Sequence, residues 1–453
     1  MNHSEASEIL NEIQSSFDIS NMEYLGQNLW PPIRNRIASK LVKKNITKNS
    51  KNNMIVDFYN SVIFCFFNKP KPKEVIIISD GLYSVKVKNN TYDRVMYGVI
   101  KKNTELGHSI EKISLDKLTD SEFINYSSAF IFKTRIYASI LAYCRYLFLL
   151  SSFFSLKSST LYFQINNIIN FCKLKNIDLN TRDIFISALS IYYHARFLKK
   201  YFEKFSSLNI YQSNSFDPIG LSINYAANSL GFRTNTVQHG GQSKVNPYFL
   251  YWNINQENSK LFFSKHFLCW TDESFESIKL WNIKNFIPSK GLLGYSWLDA
   301  INSEEIKTSH KDKLINLSKG SFNIIYTLQP SYKIKEDLIL DLIKINPLIK
   351  VWIRKHPSNQ RPLFKEQFKL ETNIIETNIA NKVLLTELFS IANLHITSSS
   401  SSVYEADACG IETIFLDING KNYFPEMIKK GSAKYIIPER SFFNYILDKI
   451  KNT

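Results

Sequence analysis

From Leu208 to the end of this 453-residue chain, short apolar runs alternate with amphipathic stretches, and that alternation limits the fold more than any other feature. Leu208–Gln212 (LNIYQ) is strand-like, and Pro218–Leu230 is a predicted helix opened by Asp217-Pro218 and closed by Gly231. Arg233–Gln238 and His266–Trp270 are further strands, followed by a predicted helix over Glu273–Trp281 and a strand over Phe286–Leu293. A second series begins near Ser321. It contains strands Phe322–Leu328, Ile349–Arg354, Leu394–Thr397 and Thr413–Asp417, separated by helices Lys335–Ile345, Asn381–Ile391 and Val403–Cys409. Ser441–Lys451 closes the chain as a helix. Strands alternating with helices imply parallel βαβ units. The predicted class is therefore α/β, with two doubly wound Rossmann-type domains facing a cleft.

The domains are expected to be 1–305 and 306–453, joined through the polar linker Ala300–Lys319, with the last helix packing back on the N-terminal domain. In the first half, Lys73–Ser79 (KEVIIIS) is a buried strand that stops at Asp80-Gly81. Val95–Ile100 and Ala129–Phe132 are further strand candidates, and Lys43–Asn53 is a solvated loop. Thr134–Phe205 is mainly helical and dense in aromatics (Tyr137, Tyr143, Tyr146, Phe148, Phe153, Phe154). Such density fits a buried helical layer. It also fits a basic–aromatic face on the inner membrane leaflet, with Lys157, Lys199 and Lys200 contributing charge.

Hydrophobic residues at 44% and aromatics at 14% exclude a disordered chain, a collagen and a coiled-coil rod. A net charge of +16 favours anionic partners: nucleic acid, acidic lipid, or phosphorylated and carboxylated substrates. Cys65, Cys144, Cys172, Cys269 and Cys409 are far apart and form no CxxC pair, so neither a disulfide framework nor a zinc ribbon is expected. Reduced thiols in a cytoplasmic setting fit best. Met1–Gln14 has no apolar core of a secretory signal, and Lys133, Arg135 and Arg145 interrupt the apolar stretch Ala129–Phe154. A cytoplasmic chain is expected, with peripheral attachment at the inner membrane as the alternative.

Four polar clusters fall at predicted strand ends, where ligands bind in open parallel sheets. Ser398–Ser402 places five serines between a strand and a helix, where hydroxyls and backbone N–H groups suit a phosphate. One serine would suffice as a cap. Arg354 ends the strand Ile349–Arg354 and Lys355, His356 and Pro357 follow it, and the imidazole can donate to a phosphate oxygen; an incidental charged loop is the plain alternative. Gln238-His239-Gly240-Gly241 offers an acid or base beside glycines that let a backbone approach a ligand. Asp217 before Pro218 is first of all an N-cap, and the same position suits a carboxylate facing the cleft. Glu405, one turn into the helix after the serines, can accept from ribose hydroxyls, and Gln329 is a secondary candidate. His108, His194, His266 and His395 read as structural or surface residues. No HExxH, Walker, GxSxG or EF-hand pattern and no DxD pair occurs, so neither a metal nor a cofactor is expected.

In order and spacing, Gln238-His239-Gly240, His356-Pro357 and the serines leading to Glu405-Ala406 and Cys409-Gly410 resemble bacterial GT-B glycosyltransferases of surface-polysaccharide assembly. The nearest likeness is to capsule and O-antigen (lipopolysaccharide) transferases that use CMP-activated Kdo or sialic-acid-like sugars. The resemblance implies that His356 and Ser398, Ser399, Ser400 and Ser401 hold the donor's phosphate and nucleotide. It further implies that Asp217 is the catalytic carboxylate, with His239 beside the reacting sugar. Three departures stand out. Ser79-Asp80-Gly81 is a partial counterpart of the sialyltransferase acidic motif, which makes Asp80 a rival to Asp217. Thr397 and Ser398 stand where UDP- and GDP-sugar enzymes carry the first of two acids. The 14 glycines include no Gly-rich pyrophosphate loop, which favours a single-phosphate donor. The expected partners are a nucleotide-sugar donor and a glycan or lipid-linked acceptor, by an inverting or a retaining route. Alternatives are a UDP-hexose transferase, a UDP-sugar 2-epimerase, a transferase using a CDP-linked polyol, or a basic scaffold that binds nucleic acid. Dispersed basic residues and the lack of a known module argue against nucleic acid.

Overall fold

The computed structural model describes residues 3–42, 73–79, 83–88, 90–114, 140, 143, 144, 159–241, 246–250, 252–276, 278–306, 310–329, 336–356 and 377–452. Two compact units divide the chain: Met1–Tyr83 with Asp93–Gly294, and Ser84–Tyr92 with Tyr295–Thr453. The break thus falls at Gly294, ahead of the expected boundary at 305. The polar segment Ala300–Lys319 takes in the end of one short helix, Ser296–Asn302, and the whole of another, Lys311–Ser318. Asp80, Pro357, the strand candidate Ala129–Phe132 and the loop Lys43–Asn53 lie outside the described residues, as do most of the aromatics from Tyr137 to Phe154.

The N-terminal unit is built on β1 (Val75–Ser79), β2 (Ile110–Ser114), β3 (Asn209–Gln212), β4 (Arg233–Val237), β5 (His266–Cys269) and β6 (Ser289–Leu292). These pair in the order β2-β1-β3-β4-β5-β6, every pair parallel. β1 is buried along its whole length, as a strand covered on both faces must be. Ile76 and Ile78 point into a large core with α4 (Thr160–Leu174), α5 (Thr181–Phe202) and α6 (Pro218–Asn228). Val75 and Ile77 meet α3 (Tyr97–Glu105) on the other face. Asn180 caps α5 by accepting from the Asp183 N–H, and Lys199 and Lys200 oppose the dipole in its last turn. Two N-terminal helices, α1 (His3–Ser16) and α2 (Trp30–Leu41), join this core. Arg34 of α2 is fully buried and donates to the carbonyls of Pro247 at 2.8 Å and Leu250 at 2.6 Å, which anchors the segment after the His239 loop.

The C-terminal unit carries β7 (Phe322–Thr327), β8 (Ile349–Arg354), β9 (Leu394–Thr397), β10 (Thr413–Phe415) and β11 (Ala433–Tyr435), in the order β8-β7-β9-β10-β11 and again all parallel. Its last helix, α14 (Arg440–Lys451; α7 and α8 are the two linker helices), buries Phe442 and Ile446 in the core of this same unit. Its apolar face therefore packs within its own unit. Both sheets are doubly wound, as the alternation implies.

Two local expectations fail. Val95–Ile100 is not a strand: Asp93 accepts from the Val95 and Met96 N–H groups, both at 3.0 Å, and starts α3. Glu273–Trp281 forms two single 3₁₀ turns instead of a helix, with Phe275, Ile278 and Trp281 still facing the core. In both places the apolar spacing was right and the backbone type was decided by local hydrogen bonds. Cys144, Cys172 and Cys269 are buried free thiols and Cys409 is half-buried; burial pushes the Cys172 and Cys409 thiols up to about 11. Among the described residues no helix is long and apolar enough to cross a membrane.

Candidate functional site

In the C-terminal sheet the chain runs from β7 outward to β8 and then returns to the opposite side of β7 as β9. Strand order reverses there, and open α/β sheets bind ligands beyond the carboxyl ends at such a reversal. Register sets Arg354, Thr327 and Thr397 side by side along that edge. Neighbouring strands lie about 4.8 Å apart, so the His356 loop and the serine run leave the sheet roughly 10 Å apart.

The serines form a tight turn into α11 (Ser402–Ala408; α9 is Glu336–Ile345 and α10 is Leu385–Phe389). Ser401 is the N-cap but makes no side-chain capping bond; one residue earlier, Ser400 Oγ accepts from the Ser402 N–H at 3.2 Å. Ser398 is buried, and Ser399 and Ser401 are half-buried; these three hydroxyls make no hydrogen bond among the described residues. Local hydrogen bonding thus uses Ser400 and Ser402 of the run and leaves Ser398, Ser399 and Ser401 available among the described residues. A Cβ at Gly420 would fall 2.5 Å from the Ser398 carbonyl and from the Phe415 ring, so only glycine there lets α12 (Ile418–Tyr423) pack against the run. Gln329, just beyond β7, is half-buried and has no hydrogen-bond partner among the described residues. Glu405 is half-buried on α11.

Arg354 has a different task. Its Nη1 donates to the carbonyls of Ala380 at 2.5 Å and Val383 at 2.7 Å, while the Lys355 N–H donates to Asn381 Oδ1 at 2.8 Å. The guanidinium thus braces the end of β8 and the loop on which half-buried His356 stands.

The N-terminal sheet reverses between β1 and β3. At and beyond the end of β3, Gln212, Ser213 and Ser215 are buried, and Gln212 Oε1, Ser213 Oγ and Ser215 Oγ have no partner among the described residues. Asp217 follows as the N-cap of α6, with Oδ1 accepting from the Gly220 N–H at 2.6 Å. Burial pushes its carboxyl up to about 6 despite that hydrogen bond. A Cβ at Gly220 would sit 2.1 Å from the Asn214 carbonyl, so this glycine lets the serine-rich loop cross the first turn of α6. Gln238, at the end of β4, is wholly enclosed. Its Nε2 donates to Gly240 O and Ser274 Oγ, both at 3.0 Å, and its Oε1 accepts from the Trp270 N–H at 2.8 Å. It shapes the loop that carries half-buried His239, whose ring centroid lies 5.6 Å from that of Tyr83. The Arg94 guanidinium lies 5.7 Å from the same Tyr83 ring. A Cβ at Gly240 would meet nothing within 4 Å.

Sequence reasoning passed over two residues. Asp93 is a buried carboxyl that desolvation raises above its ordinary range, although Ser79 and two backbone N–H groups hydrogen-bond to it. An Asp-Arg-Val-Met start before a helical stretch was the available signal. His395 sits inside β9 beneath the serine run and bonds to Thr327, Ser402 and Thr413. A histidine in an otherwise apolar strand of LHIT pattern could have marked it. Among the described residues no three His, Cys, Asp or Glu side chains converge as a metal site.

No family model matches the sequence, and no curated protein matches it. Solved structures of similar chain path include a UDP-N-acetylglucosamine 2-epimerase, described as putative, from Listeria monocytogenes. It is 12% identical with a TM-score of 0.47, over 84% of this chain and 89% of that one. The UDP-GlcNAc 2-epimerase from Neisseria meningitidis bound to UDP-GlcNAc is 12% identical with a TM-score of 0.46, over 84% and 91%. The wall teichoic acid polymerase TagF is 13% identical with a TM-score of 0.46, over 87% and 85%.

Proposed function

We propose that this chain is a nucleotide-sugar glycosyltransferase whose donor is a CMP-activated 3-deoxy-ulosonic acid of the Kdo or sialic-acid-like kind. The observation that carries this is the serine run at the β7/β9 reversal, with three hydroxyls that make no hydrogen bond among the described residues. A departing nucleotide phosphate develops charge that oriented donors stabilise. In this reading Ser398, Ser399 and Ser401, the N–H groups of the turn, Gln329 and His356 are those donors. The turn has no glycine-rich pyrophosphate cradle, which suits one phosphate better than two. Asp217 of the N-terminal unit is assigned as the carboxylate that deprotonates the acceptor hydroxyl.

Thermal unfolding with CMP, CDP, UDP, GDP and duplex DNA tests the donor class. Ligand at 100 times Kd stabilises by about 2.7 kcal/mol, equivalent to a shift of roughly 5–10 °C. CMP should give the largest shift, and Ser399→Ala with Ser401→Ala should cancel most of it. A shift with UDP alone would move the reading to a UDP-sugar transferase or epimerase, and one with CDP alone to a CDP-polyol donor. A shift with DNA alone would refute a nucleotide-sugar enzyme.

The net charge of +16 suits an anionic, lipid-linked acceptor at a membrane surface. Co-sedimentation with vesicles containing phosphatidylglycerol should be strong at low salt and lost as ionic strength rises past about 0.15 M. Binding that ignores salt, or fails at low salt, removes the membrane from the proposal.

A further inference from the structure

His395 has no solvent exposure and lies in the second position of β9. On one side its Nδ1 is 2.9 Å from Thr413 Oγ1 of β10. On the other, Nε2 is 2.9 Å from Thr327 Oγ1 at the end of β7 and 3.3 Å from Ser402 Oγ. The two hydroxyls are themselves 2.9 Å apart, so Nε2, Thr327 and Ser402 close a triangle. The Phe389 ring meets the imidazole edge-on, with centroids 5.1 Å apart. Burial holds the ring neutral by pushing it down to about 3. A neutral imidazole has one N–H and one lone pair, so in either tautomer it orients the hydroxyls on both sides.

The location gives this network its consequence. Thr327 ends one strand of the reversal, Ser402 is where the serine run becomes helix, and Thr413 begins the next strand. An aliphatic residue would fill an inward strand position without polar groups that need partners. Here four polar side chains from β7, β9, β10 and α11 converge instead. Thr397 adds a fifth link, its Oγ1 donating to the Thr327 carbonyl at 3.0 Å.

We propose that His395 is a positioning residue: through Ser402 and Thr327 it holds the Ser398–Ser402 run against the carboxyl end of β7 in the geometry that meets the ligand's phosphate. The loop geometry stands independently, while the ligand rests on the nucleotide-sugar reading above.

Two substitutions separate positioning from simple core packing. Glutamine sets its amide near the place of Nε2 and keeps the triangle, whereas asparagine reaches only as far as Nδ1 and keeps Thr413 alone. Both should lower thermal stability. In the full chain, His395→Asn should speed hydrogen exchange of the 399–403 amides and weaken CMP binding, each about tenfold, the loss expected for one hydrogen bond. His395→Gln should leave both within about twofold, because its hydrogen bonds persist. Equal behaviour of the two variants, or unchanged exchange in a folded His395→Asn protein, would overturn the proposal. Ser402→Ala covers the case in which His395→Asn does not fold: it removes one corner of the triangle and should speed the same amides, and unchanged exchange there would equally refute positioning. If the exchange pattern appears but wild type binds no nucleotide, His395 still positions the loop and the nucleotide-sugar reading is what falls.

Discussion

Asp217→Asn should lower transfer by about 10²–10⁴, the range for removing a general base, while leaving nucleotide binding and the fold in place. The structure makes this substitution unusually clean. Asp217 caps α6 through the Gly220 N–H, and asparagine is as good an N-cap as aspartate, so the cap survives. Asp217→Ala would confound the result, because losing the cap costs about 1 kcal/mol by itself. Burial sets the carboxyl at about 6, close to a working pH, which is where a base is most effective. Transfer by wild type should therefore rise with pH through about 6, and this limb should vanish in the variant. The folded-state value lies above the ordinary 3.8, so the ionised carboxylate opposes folding at neutral pH. Asp217→Asn should accordingly be at least as stable as wild type at pH 7.5. Turnover within a few-fold of wild type would remove Asp217 from the chemistry and leave it a cap.

Lowering the pH from 7 to 4.5 should shrink the stability advantage of wild type over His395→Gln by about 3 kcal/mol. Burial drops the folded-state value of His395 from 6.5 to about 3. Between those limits the unfolded chain takes a proton that the folded chain refuses. The contribution of this group is complete above about 6.5 and is lost as pH falls, at roughly 1.4 kcal/mol per unit. His194, buried in α5 and also near 3, behaves the same way, while Asp217 and Asp93 run in the opposite sense. The net slope of wild type alone is a mixture for that reason, and the difference from His395→Gln isolates one group. Urea unfolding of both proteins at pH 7 and 4.5 measures it. A constant difference would mean that the ring takes up its proton in the folded protein as readily as in the unfolded chain, which the buried hydroxyl network does not accommodate.

The strand ends illustrate what can be read from a linear chain. β8 and β9 are found at their expected limits, Ile349–Arg354 and Leu394–Thr397, and β1, β3, β4, β5 and β7 within a residue or two. Compact β-branched runs bounded by Gly, Pro and Ser leave little choice of backbone. The N-cap at Asp217 and the left-handed Gly231 and Gly410 were equally legible, since each answers a local need of a helix end. Helix α3 and the 3₁₀ turns at 273–280 were not, because apolar spacing alone does not separate strand from helix over six to nine residues.

Local chemistry along the chain determined the alternating elements, their caps, and the polar clusters that follow the strands, because hydrogen-bond demand and side-chain periodicity act over a few residues. Only tertiary structure decided which of those polar groups remain available. Arg354 and Gln238 look like ligand contacts in the sequence and are engaged by two carbonyls, a serine hydroxyl and a backbone N–H 26–36 positions away. His395 looks like filler and stands at the centre of a buried network that joins positions 327, 402 and 413. Partners that distant meet only when the strands are laid side by side, and strand order is set by burying both faces of a sheet, not by any one segment.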